Sequence, residues 1–269
     1  MISLVGEALV DLVITPDGAV DAKLGGAPYN TARACARLGA PVRFVGAISR
    51  DRFGSMLAEQ LAADGVDISS LERVDVPTTL AAAELDDDGA ATYRFYIDGT
   101  SAPALTSVPA LPDPSDTAEV FFTGGLALVL EPMASTVERA LTGGRDRLVV
   151  VDVNCRPLVV PDRVAYVERV DRVLRHTDVV KVSDEDLAYL RPGVDVTTAA
   201  HSLLELGPVA ALITRGGAGT VVTTSGAEIT VPTATVEVVD TIGAGDSFGG
   251  GFLAWWDSNG LDRADAASI

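Results

Sequence analysis

Residues 236–251 read VEVVDTIGAGDSFGGG. The stretch reads as a strand, a glycine-rich turn and the start of a helix. Gly243 and Gly245 permit positive φ and leave no side chain between backbone N–H groups and a ligand. The helix that follows has unpaired N–H groups and a dipole that favours negative charge at its start. The turn is therefore a candidate anion hole, built from the N–H groups of Gly243, Ala244 and Gly245. Asp246 falls in the first helical turn. An ionised carboxylate here repels a bound phosphate, a cost that makes sense if its task is to take a proton from a nucleophile attacking that phosphate. The bland alternative is a tight turn whose glycines serve packing. For the run Gly249–Gly251 that alternative is sufficient: glycines in a helix interior cost roughly 1 kcal/mol each relative to Ala, and close packing of the helix explains them.

Outward from this turn, short apolar runs alternate with helix-period segments. Strands are expected at ISLVG, VRFVGAI, EVFFTG, RLVVVDVN, DVVKVS and VAALITRG. Helices are expected over PYNTARACARLG and DRFGSMLAEQLAADG, and near Pro132–Leu141, Arg163–Arg175, Asp184–Leu190 and Thr197–Leu206. Near-continuous apolar strands at this spacing imply an α/β fold: a doubly wound, mainly parallel sheet covered by helices on both faces. TTLAAAELDDDGAATYRFYID breaks the rhythm and reads as a hairpin, Thr78–Asp98, paired with the segment Leu9–Lys23 as a small β lid. Ligands of such sheets bind at the carboxyl ends of strands. Glu7–Asp11, Asp152–Arg156, Lys181–Asp186, Thr214–Gly217 and Asp240–Asp246 all fall at such ends.

Composition narrows the function. The net charge of −18 over 269 residues argues against nucleic acid and anionic membranes as partners. Only Lys23 and Lys181 are lysines, so phosphates must be held by backbone N–H groups, arginine and metal. No Gly-Lys pair exists, which excludes a P-loop, and GAGDSF lacks the third glycine of a dinucleotide fingerprint. Two distant cysteines, Cys35 and Cys155, fit a reducing cytoplasm and no disulfide framework. The two histidines have no ligand pattern, and no apolar run is long enough to span a bilayer.

DTIGAGDSF resembles the C-terminal signature of the ribokinase/PfkB carbohydrate-kinase family. Residues 25–69, GGAPYNTARACARLGAPVRFVGAISRDRFGSMLAEQLAADGVDIS, resemble its N-terminal signature. The resemblance runs in order along nearly all 269 residues. GEALVDL with GGAPYN looks most like fructokinase-type and 2-keto-3-deoxygluconate-kinase-type members. It implies ATP- and Mg²⁺-dependent phosphorylation of a sugar hydroxyl by a single ribokinase-like domain with lid segments near 9–23 and 77–99. Asp246 matches the catalytic base, and Gly243, Ala244 and Gly245 the anion hole. Asp11 and Asn30, with the double glycine Gly25–Gly26, match the sugar site; Asn154 and Arg156 line the same cleft. Lys181, Thr214, Gly216 and Gly219 fall on the nucleotide edge. Asp186 stands where the family has glutamate in a motif linked to magnesium, and Asp240 matches a ligand for a monovalent cation such as K⁺. Members usually continue for several tens of residues beyond LDRADAASI, a part that supplies much of the adenine pocket.

The residues alone leave other readings open. Asp11 could cap a turn, Asn30 could be a helix N-cap, and Arg156 could pair with a surface acid. Tyr93, Phe95 and Tyr96 read mostly as strand packing. A nucleoside kinase of the same family and a non-catalytic sugar or nucleotide binder are the alternatives in function. Finally, the hairpin carries apolar residues, Leu80, Ala82, Phe95 and Ile97, beyond what one buried face explains. That predicts a homodimer through paired lids, weakened by a charge at Phe95 or Ile97.

Overall fold

The computed structural model describes residues 1–86, 91–109, 119–142, 147–238 and 241–269. The chain opens with β1 (Ile2–Val5), then the hairpin β2 (Leu9–Ile14) and β3 (Val20–Gly25), and α1 (Ala27–Arg37). Next come β4 (Val42–Val45), β5 (Ala47–Ser49), α2 (Arg52–Ala63), β6 (Glu72–Val74), and a second hairpin, β7 (Leu80–Leu85) with β8 (Ala91–Tyr96). From there strands and helices alternate: β9 (Val120–Gly124), α3 (Met133–Thr142), β10 (Leu148–Asp152), α4 (Arg163–Leu174), β11 (Val179–Ser183), α5 (Asp184–Leu190), α6 (Val196–Leu204) and β12 (Ala210–Thr214). An antiparallel pair, β13 (Thr220–Thr224) and β14 (Glu228–Val231), precedes α7 (Ala244–Ser258).

The main sheet has the order β14-β13-β12-β11-β10-β9-β1-β4. It is parallel from β4 through β12, and β13 and β14 add an antiparallel edge. Successive strand residues serve opposite faces. Val149 and Val151 pack with Val137, Val170, Leu187 and Leu203 of α3–α6. Leu148 and Val150 join the other cluster, with Tyr29, Leu57, Leu253 and Trp256 of α1, α2 and α7. Both faces are thus covered, as the apolar strand runs require.

The small sheet has the order β3-β2-β7-β8, with β2 parallel to β7. The expected hairpin and its pairing with residues 9–23 are both present; its turn, residues 87–90, lies outside the described residues. The base of the hairpin is tied to the body through Asp51. This carboxylate caps α2 by accepting from Gly54 N (2.8 Å) and also accepts from Thr78 N (2.8 Å) and Thr78 Oγ1 (2.6 Å).

Four expectations need correction. VRFVGAI is two strands, because the chain at Gly46 passes so close to Gly6 that a Cβ there would lie 2.6 Å from the Gly6 carbonyl oxygen. β5 then leaves the main sheet and pairs with β6. Residues 236–238 form no strand; Val236 and Val238 are exposed, with no neighbouring strand to pair with among the described residues. Of the run Gly249–Gly251 in α7, only Gly250 is a true close contact: a Cβ there would meet Ala34 Cβ at 2.7 Å. At Gly249 the nearest atom is 3.5 Å away, and at Gly251 there is open space. Phe95 and Ile97 pack against the core of the body rather than standing free. They lie on the lid face that carries Ala81 and Asp11, since Asp11 pairs with Ala81 and Ala81 with Phe95.

Candidate active site

The carboxyl ends of β1, β9, β10 and β11 and the start of α7 converge below the lid. Gly243 holds a left-handed conformation (φ 74°) and starts α7 without any side-chain cap. A Cβ at Gly243 would meet only Asp246 Oδ2 and Asn30 Nδ2, at 3.8 and 3.9 Å. The Ala244 N–H already donates to Thr241 O (3.2 Å) and the Ser247 N–H to Gly243 O (2.8 Å). That leaves the N–H groups of Gly245 and Asp246 in the first turn, where a helix offers no internal acceptor. Of the three N–H groups expected to form the anion hole, that of Ala244 is thus engaged within the turn, while that of Gly245 is open in the first turn of α7.

Asp246 is buried, and Asn30 Nδ2 donates a 3.0 Å hydrogen bond to its Oδ2. Burial raises its pKa, opposed by that hydrogen bond and by the charges of Lys181 and Arg156. Asn30 is brought there by α1, whose N-cap is Gly26; it is a residue of the first turn, not the cap. Asp11 lies within β2 rather than at a turn, so its capping reading also fails. Burial pushes the Asp11 carboxyl up to about 6, against the pull of Arg156. Gly25 faces it so closely that a Cβ would lie 2.3 Å from Asp11 Oδ2. At Gly26 (φ 112°) a Cβ would lie 2.6 Å from the Glu7 carbonyl oxygen. The double glycine is thus required by the approach of α1 to the strand ends.

Asn154 follows β10 with a positive φ of 39°, a conformation uncommon outside glycine. Arg156 is half-buried, donates to the carbonyls of Asn154 (3.4 Å) and Cys155 (3.0 Å), and lends its charge to Glu7, Asp11 and Asp246. It faces the cleft, not a surface acid.

Lys181 is not on an open nucleotide edge. It is buried on β11 and forms a 2.7 Å ion pair with Asp152 of β10, beneath the glycine turn. A Cβ at Gly245 would lie 3.3 Å from its Nζ. Burial pushes Asp152 up to about 6, against Lys181, and the charges of Asp246 and Asp186 push the same way. Asp152 Oδ1 is buried without a partner among the described residues. Asp186 is occupied locally: Oδ1 accepts from Cys155 N (2.7 Å) and Oδ2 from Ser183 N (2.9 Å), closing a capping box on α5. No group of three or more His, Cys, Asp or Glu side chains arranged to hold a metal occurs among the described residues. Magnesium usually keeps several waters and binds one or two carboxylates plus substrate phosphates. The orphaned Asp152 oxygen and the remaining lone pairs of Asp186 fit that mode, not a protein cage. Asp240 lies outside the described residues.

Thr214 ends β12 opposite Ser183, with its hydroxyl 3.4 Å from Val182 O. Gly216 (φ 52°) has open space around it, whereas a Cβ at Gly219 would lie 2.4 Å from the Val231 carbonyl. Gly219 therefore serves the approach of β14. Sequence reasoning did not single out Glu7 or Asp152. The available signal was a carboxyl at the end of an all-apolar strand, where burial is expected and ionisation is costly.

A buried carboxylate at a capless helix start, facing Asn30 and Asp11 across one cleft, is an arrangement for moving a proton beside a bound anion. Comparison with known proteins agrees. The family model of the pfkB family carbohydrate kinases matches residues 1–269. A fructokinase of Rhizobium leguminosarum bv. trifolii is 37% identical over 260 residues, covering 94% of this chain and 79% of that protein. The fructokinase of Xylella fastidiosa with bound ATP superimposes with a TM-score of 0.90 at 30% identity, over 99% of this chain and 84% of that one. The fructokinase of Vibrio cholerae O395 with fructose, ADP and calcium gives 0.84 at 26% identity, over 99% and 89%. The chain belongs to the pfkB family of carbohydrate kinases and is a sugar phosphotransferase of ribokinase-like fold.

Proposed function

We propose that this kinase transfers the γ-phosphoryl group of ATP to a hydroxyl of fructose or a related hexose or keto-sugar acid. The observation that carries the reading is Asp246: a buried carboxylate in the first turn of α7, hydrogen-bonded to Asn30 and under the same Arg156 charge as Asp11. Support for the sugar comes from relatives that are fructokinases, one of them with fructose and ADP bound.

The sugar is held by Asp11, Asn30 and the backbone at Gly25–Gly26, with Arg156 and Asn154 closing the side of the cleft. Its attacking hydroxyl faces Asp246. As the hydroxyl oxygen bonds to the γ-phosphorus, Asp246 takes its proton, the bond from phosphorus to the bridging oxygen breaks, and ADP leaves. The N–H groups of Gly245 and Asp246 and the α7 dipole take up charge on the transferring group. Lys181 acts from beneath: its charge offsets the carboxylate that would otherwise repel the phosphate. Magnesium bound with the nucleotide would neutralise phosphate charge, held through water by Asp152 and Asp186. The roles of Thr214 and Gly216 at the nucleotide edge, and of Asp240 toward K⁺, rest on their match to the family motifs.

The chain acts as one ribokinase-like unit, 1–269, with the small sheet as its lid. It pairs lid to lid as a homodimer in a reducing cytoplasm. Two buried free cysteines accord with that compartment, and no helix among the described residues is long and apolar enough to cross a membrane. A panel of sugars and nucleosides assayed for ADP release with Mg-ATP tests the substrate. Fructose is expected to lead, and turnover of a nucleoside alone would overturn the assignment.

A further inference from the structure

Glu7 lies just after β1 and is 2% exposed. Its Oε1 accepts from the Ala27 N–H (3.1 Å), the first residue of α1, while Oε2 is buried without a partner among the described residues. A helix N-terminus is ordinarily capped by the residue before it. Here that residue is Gly26, which has no side chain to offer, and α1 has no side-chain cap of its own. Glu7 supplies the missing acceptor from 20 residues upstream, and its negative charge suits the positive end of the helix dipole. The fit is tight on the other side as well. A Cβ at Gly125 would lie 2.8 Å from Glu7 Oε1 and 3.3 Å from Ala27 Cβ.

The helix start that Glu7 holds is also one wall of the sugar site. Gly25 and Gly26 precede Ala27, and Asn30 stands in the same first turn, reaching Asp246. We propose that Glu7 is a positioning residue for the acceptor sugar: by capping α1 from β1 it fixes the double glycine and Asn30 relative to Asp11 and Asp246. The inference rests on the reading of Asp11 and Asn30 as the acceptor site, but not on which sugar occupies it.

The surroundings give this residue a titration of its own. Burial pushes Glu7 up to about 7, against the N–H groups of Glu7, Ala27 and Leu126 and the charge of Arg156. Arg156 is the charged side chain that faces it. The turn Gly125–Leu128 brings no ionisable side chain, and Tyr29 of α1 donates its hydroxyl to Leu57 O (3.3 Å). The ionised form is the better acceptor for an N–H at a helix start. Sugar binding should therefore weaken as pH falls through about 7.

The test compares wild type, Glu7→Gln and Glu7→Ala for kcat and for the KM of sugar and of ATP, across pH, with circular dichroism and thermal unfolding alongside. The acceptor is whichever sugar the wild type phosphorylates, so failure on fructose would count against the substrate assignment alone. Glu7→Ala is expected to raise the sugar KM about tenfold, the loss of a charge-assisted hydrogen bond, with the ATP KM nearly unchanged. Glu7→Gln keeps an acceptor for Ala27 N. It should recover most of the affinity and remove one ionisation from the sugar KM profile, leaving that of Asp11. Should Glu7→Ala fail to fold, the Glu7→Gln profile decides alone. A profile identical to wild type, or equal rises in both KM values, would overturn the proposal.

Discussion

Asn30 Nδ2 donates a 3.0 Å hydrogen bond to Asp246 Oδ2, joining residues 216 positions apart. The bond links the helix that follows the double glycine to the helix that follows the anion hole. Because it stabilises the ionised carboxylate, it opposes the burial that raises the Asp246 pKa. A base must be ionised to act, so activity should fall as pH drops through that raised pKa. Replacing Asn30 with Ala removes the opposing bond. The acid limb of kcat should then move to higher pH, with weaker sugar binding. Asp246→Asn should lower kcat by about 100-fold or more, since general base catalysis contributes ~10²–10⁴, and leave sugar affinity nearly unchanged. Steady-state kinetics across pH decide this; an active Asp246→Asn variant would remove Asp246 as the base.

The two adjacent glycines Gly250 and Gly251 should behave oppositely. A methyl group at Gly250 would press on Ala34 Cβ (2.7 Å), Cys35 N (2.9 Å) and Thr31 O (2.9 Å), all on α1. Backbone cannot yield as a side-chain tip can. Gly250→Ala should therefore destabilise by about 1–3 kcal/mol, the usual range for overpacking, and should also impair catalysis, because parting α1 from α7 stretches the Asn30–Asp246 bond. At Gly251 nothing lies within 4 Å. Gly251→Ala should be neutral or stabilising by up to about 1 kcal/mol, the helix propensity difference. Denaturant midpoints of the two variants give the comparison directly, and equal effects would contradict the packing described here.

Lys181 and Asp152 make a buried pair on neighbouring strands. Removing one partner of such a pair typically costs 3–5 kcal/mol, because the other charge is left without compensation. Lys181→Met should lower the melting temperature strongly. It should also raise the Asp246 pKa further, since Lys181 is among the charges that hold it down. A residue serving only to bind nucleotide would instead raise the ATP KM and leave unfolding unchanged. Thermal unfolding and the pH profile together separate the two roles.

Much of this architecture is legible in the residues, for identifiable reasons. The strands of the parallel sheet are continuous apolar runs, and α5 begins at Asp184 because Ser183 caps it. The hairpin is visible because β-branched and aromatic residues flank the turn-prone sequence DDDG. The parts that resist reading depend on distant neighbours. Residues 236–238 are as β-prone as any strand, yet Val236 and Val238 are exposed with no neighbouring strand among the described residues. In the edge pair, β13 alternates buried and half-buried residues over only five positions and β14 is exposed throughout, so neither carries a pattern that stands out. At the site, Asp246, Asp11 and Asn30 are marked by motif. The burial of Lys181 and the capping by Glu7 depend on distances between separate strand ends, which no local pattern records.

The lid offers the last expectation, in a form the structure revises. Phe95 and Ile97 face the body, so a charge there should damage the closed lid rather than an interface between subunits. The opposite face carries Val10, buried in the α1–α2 side of the core, Leu12 and Leu24, partly covered by it, and the outer residues Val20 and Tyr96. Val20 is 60% exposed and Tyr96 54%. Both stand on the outer strands of a four-stranded sheet, whose outward edges have no partner strand among the described residues. An exposed apolar face beside a free edge favours pairing with a second copy, and a symmetric pair satisfies both at once. Sedimentation at micromolar concentration should therefore show a dimer. Val20→Lys or Tyr96→Glu should dissociate it while leaving the fold intact, because each side chain is more than half in solvent. Phe95→Glu should instead weaken sugar binding in whatever oligomer remains, by lifting the strand that shares a face with Asp11. A wild-type monomer, or a dimer indifferent to Val20 and Tyr96, would mean that each lid closes over its sugar site alone.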